Sequence, residues 1–227
     1  MKIAEIFYSV QGEGMLAGVP SVFVRTSGCN LRCTWCDTPY ASWNPEGTEM
    51  PMGGILSDVR RHWASHVVVT GGEPMIASDI VLLTQGLRRI EQHITIETAG
   101  TVFAAVECDL MSISPKLSNS TPHEREEGRW AAQHERLRYQ PKVLRKLIKK
   151  YPYQLKFVIM DPADMGEVKA IVEDIGADKG RVILMPEGRD PGTLRSRAQW
   201  LVEVCKNQGY RYGARLHIDI FGDRRGV

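Results

Sequence analysis

The sequence lacks several features that would place it in common classes of protein. Among its 227 residues no apolar run is long enough to span a membrane. The first residues show no apolar stretch followed by small residues, so no signal peptide is expected. The formal net charge is only +2, and the overall charge therefore predicts neither nucleic-acid nor membrane binding. There are no internal repeats, and the length suits one domain over residues 1–227.

Cysteine is also scarce, and its distribution argues against a disulfide framework. The chain has five cysteines, an odd number. Cys108 and Cys205 are isolated, whereas the other three lie together near the amino terminus. Clustered thiolates need a reducing compartment, so we expect the protein to be cytoplasmic.

The clustered residues Cys29, Cys33 and Cys36 have C-x3-C-x2-C spacing. One short turn can direct three sulfurs toward a common centre, as ligands of an iron–sulfur cluster are directed. Without a fourth cysteine nearby, one iron of a four-iron cluster has no protein ligand. An open coordination position is typical of a reactive metal site. A structural zinc site completed by a distant histidine, such as His62, is the alternative.

Apolar patterning predicts strands that alternate with helices. The predicted strands cover residues 2–8, 21–27, 66–70, 93–98, 110–114, 154–160, 181–185 and 214–220, and the predicted helices cover 55–64, 80–90, 168–175 and 194–205. Residues 43–54 are rich in Pro, Gly and Met and are expected to form a loop, and Trp63 is expected on the apolar stripe of the first helix. This alternation implies right-handed crossovers and a parallel sheet, although the chain is short for eight units of a complete barrel.

Polar residues follow several of the predicted strands. Since functional groups of parallel sheets collect at the carboxyl ends of strands, we expect one site there. The candidates are the cysteines, 70–73, 97–98, 114–116, 186–187 and His217.

Residues 117–151 form a polar and basic connection that differs from the rest of the chain. Its basic amphipathic stretch, 142–150, is typical of a solvated helix face more often than of a nucleic-acid patch. A lid over the site is a further hypothesis for this connection.

The cysteine motif resembles that of the radical S-adenosylmethionine (SAM) superfamily, in which an aromatic residue precedes the last cysteine, as Trp35 does here. The segment Thr70-Gly71-Gly72-Glu73-Pro74 resembles the GGEP motif of that superfamily. The resemblance implies a modified, incomplete (β/α) TIM-type barrel with a [4Fe-4S] cluster on Cys29, Cys33 and Cys36. SAM would bind the open iron through its amino and carboxylate groups and be cleaved reductively to a 5′-deoxyadenosyl radical. The SAM-binding residues implied are Trp35, Cys36, Asp37, Gly72, Glu73, Ser114, Pro115, Lys116, Met185, Pro186, Glu187 and Gly188.

A finer resemblance covers nearly the whole chain and is to the QueE family of 7-carboxy-7-deazaguanine synthases. It is carried by Glu5-Ile6-Phe7, residues 11–14, Gly18-Val19-Pro20, Arg25, Cys36-Asp37-Thr38, residues 70–74, residues 96–100 and Ser114-Pro115-Lys116. The family converts 6-carboxy-5,6,7,8-tetrahydropterin to 7-carboxy-7-deazaguanine by ring contraction with loss of ammonia, a step toward 7-deazapurines such as queuosine. The resemblance implies a lyase that is a homodimer, receives electrons from a donor such as flavodoxin or ferredoxin, and has no direct nucleic-acid partner.

The resemblance also implies a substrate site and a magnesium site. Arg25 suits the substrate carboxylate, because a guanidinium can bind it through two hydrogen bonds. The full set of expected substrate contacts is Val10, Gln11, Gly12, Glu13, Arg25, Thr70, Glu97, His217 and Val227. Thr38 is the expected Mg²⁺ ligand, and its alternative role is to cap a helix. No residue is assigned as a proton-transfer base.

Two segments depart from the family pattern. Family members carry a Gln-Pro pair where this chain has Met185-Pro186, and the methionine side chain cannot replace the hydrogen bonds of glutamine. The chain also lacks the Gln-Thr-His-Lys-Tyr ending of some members, although His217 aligns with its histidine. Two alternative functions are another small radical SAM enzyme, such as a glycyl-radical activase, and a zinc-stabilised RNA-binding module.

Overall fold

A single nine-stranded sheet forms the centre of the computed structural model, which describes residues 1–227. The strands are β1 (Lys2–Val10), β2 (Pro20–Thr26), β3 (Thr48–Glu49), β4 (His66–Gly71), β5 (His93–Thr98), β6 (Leu110–Ile113), β7 (Tyr153–Ile159), β8 (Val182–Pro186) and β9 (Arg211–Tyr212). They lie in the order β3-β1-β2-β4-β5-β6-β7-β8-β9. All neighbours from β2 to β9 are parallel, whereas β1 runs antiparallel to β2 and β3. Because β3 and β9 are unpaired edges, the barrel is incomplete, as the family resemblance implied.

Eight helices accompany the sheet. They are α1 (Pro39–Ser42), α2 (Met52–Arg60), α3 (Ile80–Arg89), α4 (Ala131–Arg138), α5 (Pro141–Lys150), α6 (Asp164–Ile175), α7 (Pro191–Gln208) and α8 (Leu216–Phe221). The left-handed conformation of Gly176 ends α6, since glycine adopts a positive φ at little cost. None of the helices combines the length and the apolar character that a membrane span needs.

The two faces of the parallel strands differ in chemistry. One face carries apolar side chains, including Val24, Val69, Ile96 and Phe157, and belongs to one connected hydrophobic core with the helices. Successive side chains of a strand point to opposite faces. The other face therefore carries the alternating polar residues Arg25, Thr70, Glu97, Ser112 and Lys156. Strand pairing places Arg25 beside Thr70 and Glu97 beside Ser112, so these polar side chains form one continuous surface.

The prediction of a final strand at 214–220 is wrong. Those residues contain α8, and β9 is limited to Arg211–Tyr212. The alternation of Leu216, Ile218 and Ile220 resembles a strand, but the Leu216 amide donates to the Gly12 carbonyl at 2.9 Å and the chain turns there. The contact with the distant Gly12 has therefore overridden the strand-like apolar alternation of this segment.

The region around α2 also differs from expectation. Residues 43–54 include β3 and the start of α2 as well as loop. Because α2 ends at Arg60, Trp63 lies beyond the helix and is fully exposed.

The connection 117–151 folds into short turns followed by α4 and α5. In α5, Leu144 and Leu147 are fully buried, while Lys142, Lys146 and Lys149 are exposed. The basic stretch is thus a solvated helix face, the interpretation that the sequence favoured.

Candidate active site

A cavity of about 430 Å³ lies at the carboxyl ends of the parallel strands. Its walls include the three clustered cysteines and every residue of the expected substrate set. Those nine are Val10, Gln11, Gly12, Glu13, Arg25, Thr70, Glu97, His217 and Val227. Segments from both ends of the chain therefore meet the cysteine turn at one cavity.

The cysteine turn is held by backbone and indole hydrogen bonds. The Glu73 amide donates to the Gly28 carbonyl at 2.9 Å, and the Thr34 amide donates to the Ser120 carbonyl at 2.8 Å. The buried Trp43 indole donates to the Cys33 carbonyl at 2.9 Å. These contacts fix the turn before any metal binds.

Burial raises the pKa of the Cys29 thiol and of the Cys33 thiol to about 12 each. Both are therefore protonated at neutral pH when no metal is bound. Since a metal ligand must be a thiolate, cluster assembly has to displace these protons.

The residues present fit an iron–sulfur cluster better than zinc. All five cysteines are free, and the three on the cavity wall form no single-ion site with other ligands. A cubane does not need such convergence, because each thiolate binds a different iron. His62 does not line the cavity and stacks on Tyr8 with 5.4 Å between ring centroids. His62, the histidine named for the zinc alternative, thus lies outside this cavity.

His134 holds the cysteine turn from the connection 117–151. Its Nδ1 accepts the Arg32 amide at 3.1 Å, so the proton of the neutral ring lies on Nε2. Nε2 lies 2.9 Å from Ser120 Oγ, which itself donates to the Leu117 carbonyl. Burial lowers the pKa of His134 to about 4, which keeps the ring neutral.

The paired glycines serve the packing of the cysteine turn as well as the cavity. A Cβ on Gly72 would lie 2.2 Å from the Gly28 carbonyl oxygen, and one on Gly71 would lie 2.3 Å from that of Thr26. Gly71 also has a φ of 148°, which other residues rarely adopt. Both glycines line the cavity, so no side chain separates the backbone of β4 from a ligand.

Glu73 lies behind that surface and not on it. Its side chain is buried and absent from the cavity wall. The carboxylate accepts from Thr98 Oγ1 at 2.7 Å and from the amides of Ala99 and Met75 at 2.8 and 3.1 Å. Burial raises the pKa of Glu73, and these hydrogen bonds only partly offset it. In the structure this residue joins the ends of β4 and β5, while direct contact with SAM stays a prediction.

The remaining expected SAM residues divide into two groups. Those that line the cavity are Trp35, Cys36, Asp37, Gly72, Ser114, Lys116 and Met185, whereas Pro115, Pro186, Glu187 and Gly188 do not. Lys116 Nζ donates to Ser114 Oγ at 2.9 Å and lies 5.6 Å from the centroid of the Trp35 ring. Glu187 instead pairs with Arg197, outside the cavity lining.

The wall opposite the cysteines contains a buried charged network centred on Lys156. The Lys156 ammonium donates to Glu97 Oε2 at 2.6 Å and to Glu13 Oε2 at 3.0 Å. Gln11 adds its amide, which donates to Glu97 Oε1 at 3.3 Å. Burial raises the pKa of Glu13, but the charges of Lys156 and Arg215 outweigh it and hold that pKa well below its ordinary value.

Arg215 extends the network to the cysteine motif. Its Nε donates to Glu13 Oε1 at 3.0 Å, and its Nη2 donates to Asp37 Oδ2 at 2.6 Å. Its Nη1 donates to the Gly188 carbonyl at 2.7 Å. Arg215 thus connects the expected substrate wall, the residue after Cys36 and the expected cofactor segment at 188.

Arg25 leaves part of its guanidinium available. Its Nε donates to Glu5 Oε1 at 2.6 Å, and the Tyr40 hydroxyl donates to the same oxygen at 2.8 Å. The two terminal nitrogens of Arg25 have no hydrogen-bond partner within the protein. An anionic group in the cavity can therefore accept hydrogen bonds from both terminal nitrogens.

Thr38 occupies the position before α1, but its side chain makes no capping hydrogen bond. Its hydroxyl lies 3.8 Å from Cys36 Sγ and lines the cavity. The capping alternative does not hold, and an oxygen ligand for a hard cation is present at this place.

The carboxyl-terminal residues close one side of the cavity. Arg225 lies over the Tyr40 ring at 3.9 Å and pairs with Glu5 and Glu46. A Cβ on Gly12 would lie 2.1 Å from His217 Nδ1, which explains the need for glycine beside this histidine.

Sequence reasoning missed several residues of the site. Lys156 and Arg215 contact Glu97 and Asp37 of the predicted set, and His134 contacts Arg32 within the cysteine turn. The one available signal was the polar alternation of Gln154 and Lys156 within an otherwise apolar strand. Nothing in the sequence indicated His134 or Arg215.

Comparison with known proteins gives concordant results. A family model described as the radical SAM superfamily matches residues 23–137. The chain is 45% identical over 226 residues to a 7-carboxy-7-deazaguanine synthase of Rhodopirellula baltica, covering 99% of this chain and 88% of that protein. It is 42% identical to one of Halobacterium salinarum, covering 98% and 91%. The crystal structure of QueE from Escherichia coli superimposes with a TM-score of 0.73 at 25% identity, covering 95% of this chain and 94% of that one.

Proposed function

We propose, from the premise that this chain belongs to the radical SAM superfamily and to its 7-carboxy-7-deazaguanine synthases, that it converts 6-carboxy-5,6,7,8-tetrahydropterin to 7-carboxy-7-deazaguanine with loss of ammonia. The enzyme is a lyase of 7-deazapurine biosynthesis that uses a [4Fe-4S] cluster, SAM and Mg²⁺. One observation carries the proposal: the three cysteines and the nine expected substrate residues line the same cavity.

The cysteine wall provides the cofactor site. Cys29, Cys33 and Cys36 hold the cluster, and the exposed backbone of Gly71 and Gly72 lets the cofactor approach the end of β4. When bound, the cluster supplies the electron for reductive cleavage of SAM. Lys116 and the Trp35 ring border this part of the cavity, where a carboxylate and an aromatic base can be accommodated.

The opposite wall provides the substrate site. The unpartnered nitrogens of Arg25 bind the substrate carboxylate, and Glu13 and Glu97 accept hydrogen bonds from the N–H groups of the pterin. Thr38 would supply one oxygen ligand to Mg²⁺, and the substrate carboxylate would supply others, because one hydroxyl alone binds the ion weakly. The protein thereby orients the reacting carbon and excludes water around it.

Three further properties belong to the proposal. We expect a homodimer, a small acidic electron-transfer protein such as flavodoxin or ferredoxin as reductant, and location in the cytoplasm. The last is supported by five free cysteines, which an oxidising compartment would endanger. Residues 1–227 are proposed to act as one domain, in keeping with their single connected core.

An anaerobic assay tests the function. Protein reconstituted with iron and sulfide is incubated with the carboxypterin, SAM and dithionite, with and without Mg²⁺. We expect 7-carboxy-7-deazaguanine, identified by its ultraviolet spectrum and mass, at a higher rate with Mg²⁺. Protein that contains a full cluster and cleaves SAM but forms no such product would refute the assignment and favour another radical SAM reaction.

A further inference from the structure

The ammonium of Lys156 is the most deeply buried cation on the cavity wall. Its side chain is 3% exposed, and two of its acceptors, on Glu13 and Glu97, lie in segments far away in the sequence. A buried ammonium is costly unless it is paired, and here two carboxylates pair it. Charges from both carboxylates outweigh burial and raise the pKa of Lys156, so it stays protonated.

Hydrogen-bond counting leaves one donor of this ammonium without a partner. A lysine ammonium has three N–H donors, and two are directed to Glu97 and Glu13. No third acceptor of the protein is within hydrogen-bond distance, and Lys156 lines the cavity. The third N–H is therefore available to a bound molecule.

The adjacent Glu13 has the complementary capacity. Its Oε1 accepts one hydrogen bond, from Arg215, and its Oε2 accepts one, from Lys156. Each carboxylate oxygen can accept about two hydrogen bonds, so one position remains on each oxygen of Glu13. Glu97 is more fully occupied, because Gln11, Ser112 and Lys156 all donate to it.

The wall thus presents two acceptor positions beside one donor. We propose that Lys156 is a specificity-determining residue, which donates to the ring carbonyl of a 2-amino-4-oxopyrimidine edge while Glu13 accepts from the two adjacent N–H groups. This inference rests on the proposed function, whose substrate and product both carry that edge. The addition is Lys156, as the residue that donates a hydrogen bond to the ring carbonyl.

The arrangement predicts discrimination against an edge that presents an amino group in place of the carbonyl. Two donors would then face each other, so that neither the ammonium nor the amino group finds an acceptor, and the neighbouring ring nitrogen, which carries no hydrogen in the amino form, would face a Glu13 oxygen without donating to it. A site built to pair a polar group rejects a ligand that leaves its own groups unpaired. We expect the amino compound to bind about 10- to 100-fold more weakly, on the scale of one unpaired buried polar group.

The test measures binding to the anaerobic, cluster-loaded enzyme. The two probes are 7-carboxy-7-deazaguanine and its analogue with the ring carbonyl replaced by an amino group, and calorimetry gives both dissociation constants. Wild-type protein should prefer the carbonyl compound by about 10- to 100-fold, and Lys156→Met should reduce that preference by at least about 5-fold, because only the contribution of the ring N–H opposite Glu13 then remains. Lys146→Met makes the same chemical change on the exposed face of α5 and should leave the preference unchanged.

Lys156→Met leaves two carboxylates without their cation and can impair folding. A second pair of variants covers this case: Glu97→Gln alone, and Glu97→Gln with Lys156→Met, which removes one charge of each sign. The preference for the carbonyl compound in the first variant should exceed that in the second by at least about 5-fold. An undiminished preference in Lys156→Met relative to wild type, or in the double variant relative to Glu97→Gln, would overturn the inference. Wild-type protein that forms no product from the carboxypterin would instead refute the proposed function, so the two failures are distinguishable.

Discussion

The two walls of the cavity are held in shape by different forces. The cysteine wall is fixed by neutral hydrogen bonds from Trp43, His134 and the backbone, over a turn of adjacent residues. The opposite wall is fixed by largely buried charges, where Lys156 pairs with Glu13 and Glu97 and Arg215 pairs with Glu13. The first arrangement holds the neutral thiols in place before a metal binds. The second holds ionised side chains in place, where they can hydrogen-bond a polar heterocycle. The difference indicates that the cysteine wall binds the cofactor and the opposite wall recognises the substrate.

The largest effect should come from removing a thiol of the cysteine wall. In Cys33→Ala the cluster loses one of three protein ligands, and we expect iron content to fall and SAM cleavage to decrease by more than about 1,000-fold. Iron and sulfide analysis with low-temperature EPR measures the cluster content, and the rate of 5′-deoxyadenosine formation measures SAM cleavage. Cys108→Ala, at a half-buried cysteine outside the cavity, is the matched control and should retain both.

The next largest effect should come from breaking the charged wall at Arg215. In Arg215→Met, Glu13 loses one of two cations and Asp37 loses its ion-pair partner, so the free energy of unfolding should fall by roughly 3–5 kcal/mol. Urea unfolding of the metal-free protein measures this loss. For the exposed pair of Arg145 with Asp174, Arg145→Met should cost less than about 1 kcal/mol. Equal costs for the two substitutions would contradict the role of burial.

A smaller effect is expected at His134 on the cysteine wall. In His134→Ala the Arg32 amide and the Ser120 hydroxyl each lose a partner, which should lower the free energy of unfolding by roughly 1–3 kcal/mol. The turn should also release iron faster to a chelator. His123→Ala, at an exposed histidine of the same connection, serves as the control. Unchanged iron release in His134→Ala would show that the turn does not depend on this contact.

The smallest effects concern single carboxyl groups and pH. The pKa of Glu13 is depressed in the folded protein, so its contribution to stability is complete above the ordinary pKa of 4.5 and is lost as pH falls through the depressed value. Glu73 behaves oppositely, because burial raises its pKa and its contribution is lost as pH rises through the raised value. Burial lowers the pKa of His134 to about 4 in the folded protein, so the unfolded state takes up this proton first. The folded protein therefore loses stability as the pH falls from about 6.5 to 4.

Unfolding free energies of metal-free protein between about pH 7 and 3 test these signs. We expect Glu13→Gln to flatten the acid loss below about pH 4.5 and Glu73→Gln to leave that loss in place. A steeper acid loss in Glu13→Gln than in wild type would mean that its carboxylate is not held ionised by the two cations.

The same contrast explains what the sequence could predict. Cys29, Cys33 and Cys36 lie in one turn, so their spacing alone indicated a shared centre, and the apolar stripes located most strands and helices. Glu13 and Arg215 contact each other across a separation of 202 residues, and no local pattern records that pairing. Two predictions were wrong for a related reason. The helix expected to include Trp63 ends earlier, at Arg60, and the chain expected to form a strand at 214–220 turns where it contacts Gly12.

The most direct test of two cooperating walls follows SAM cleavage and product formation in the same anaerobic sample. The proteins compared are wild type, Cys33→Ala and Glu13→Gln. We expect Cys33→Ala to lose both reactions, whereas Glu13→Gln should still form 5′-deoxyadenosine within a few-fold of wild type but make at least about 10-fold less 7-carboxy-7-deazaguanine. Full product formation by Glu13→Gln, or SAM cleavage by Cys33→Ala at the wild-type rate, would contradict this expectation.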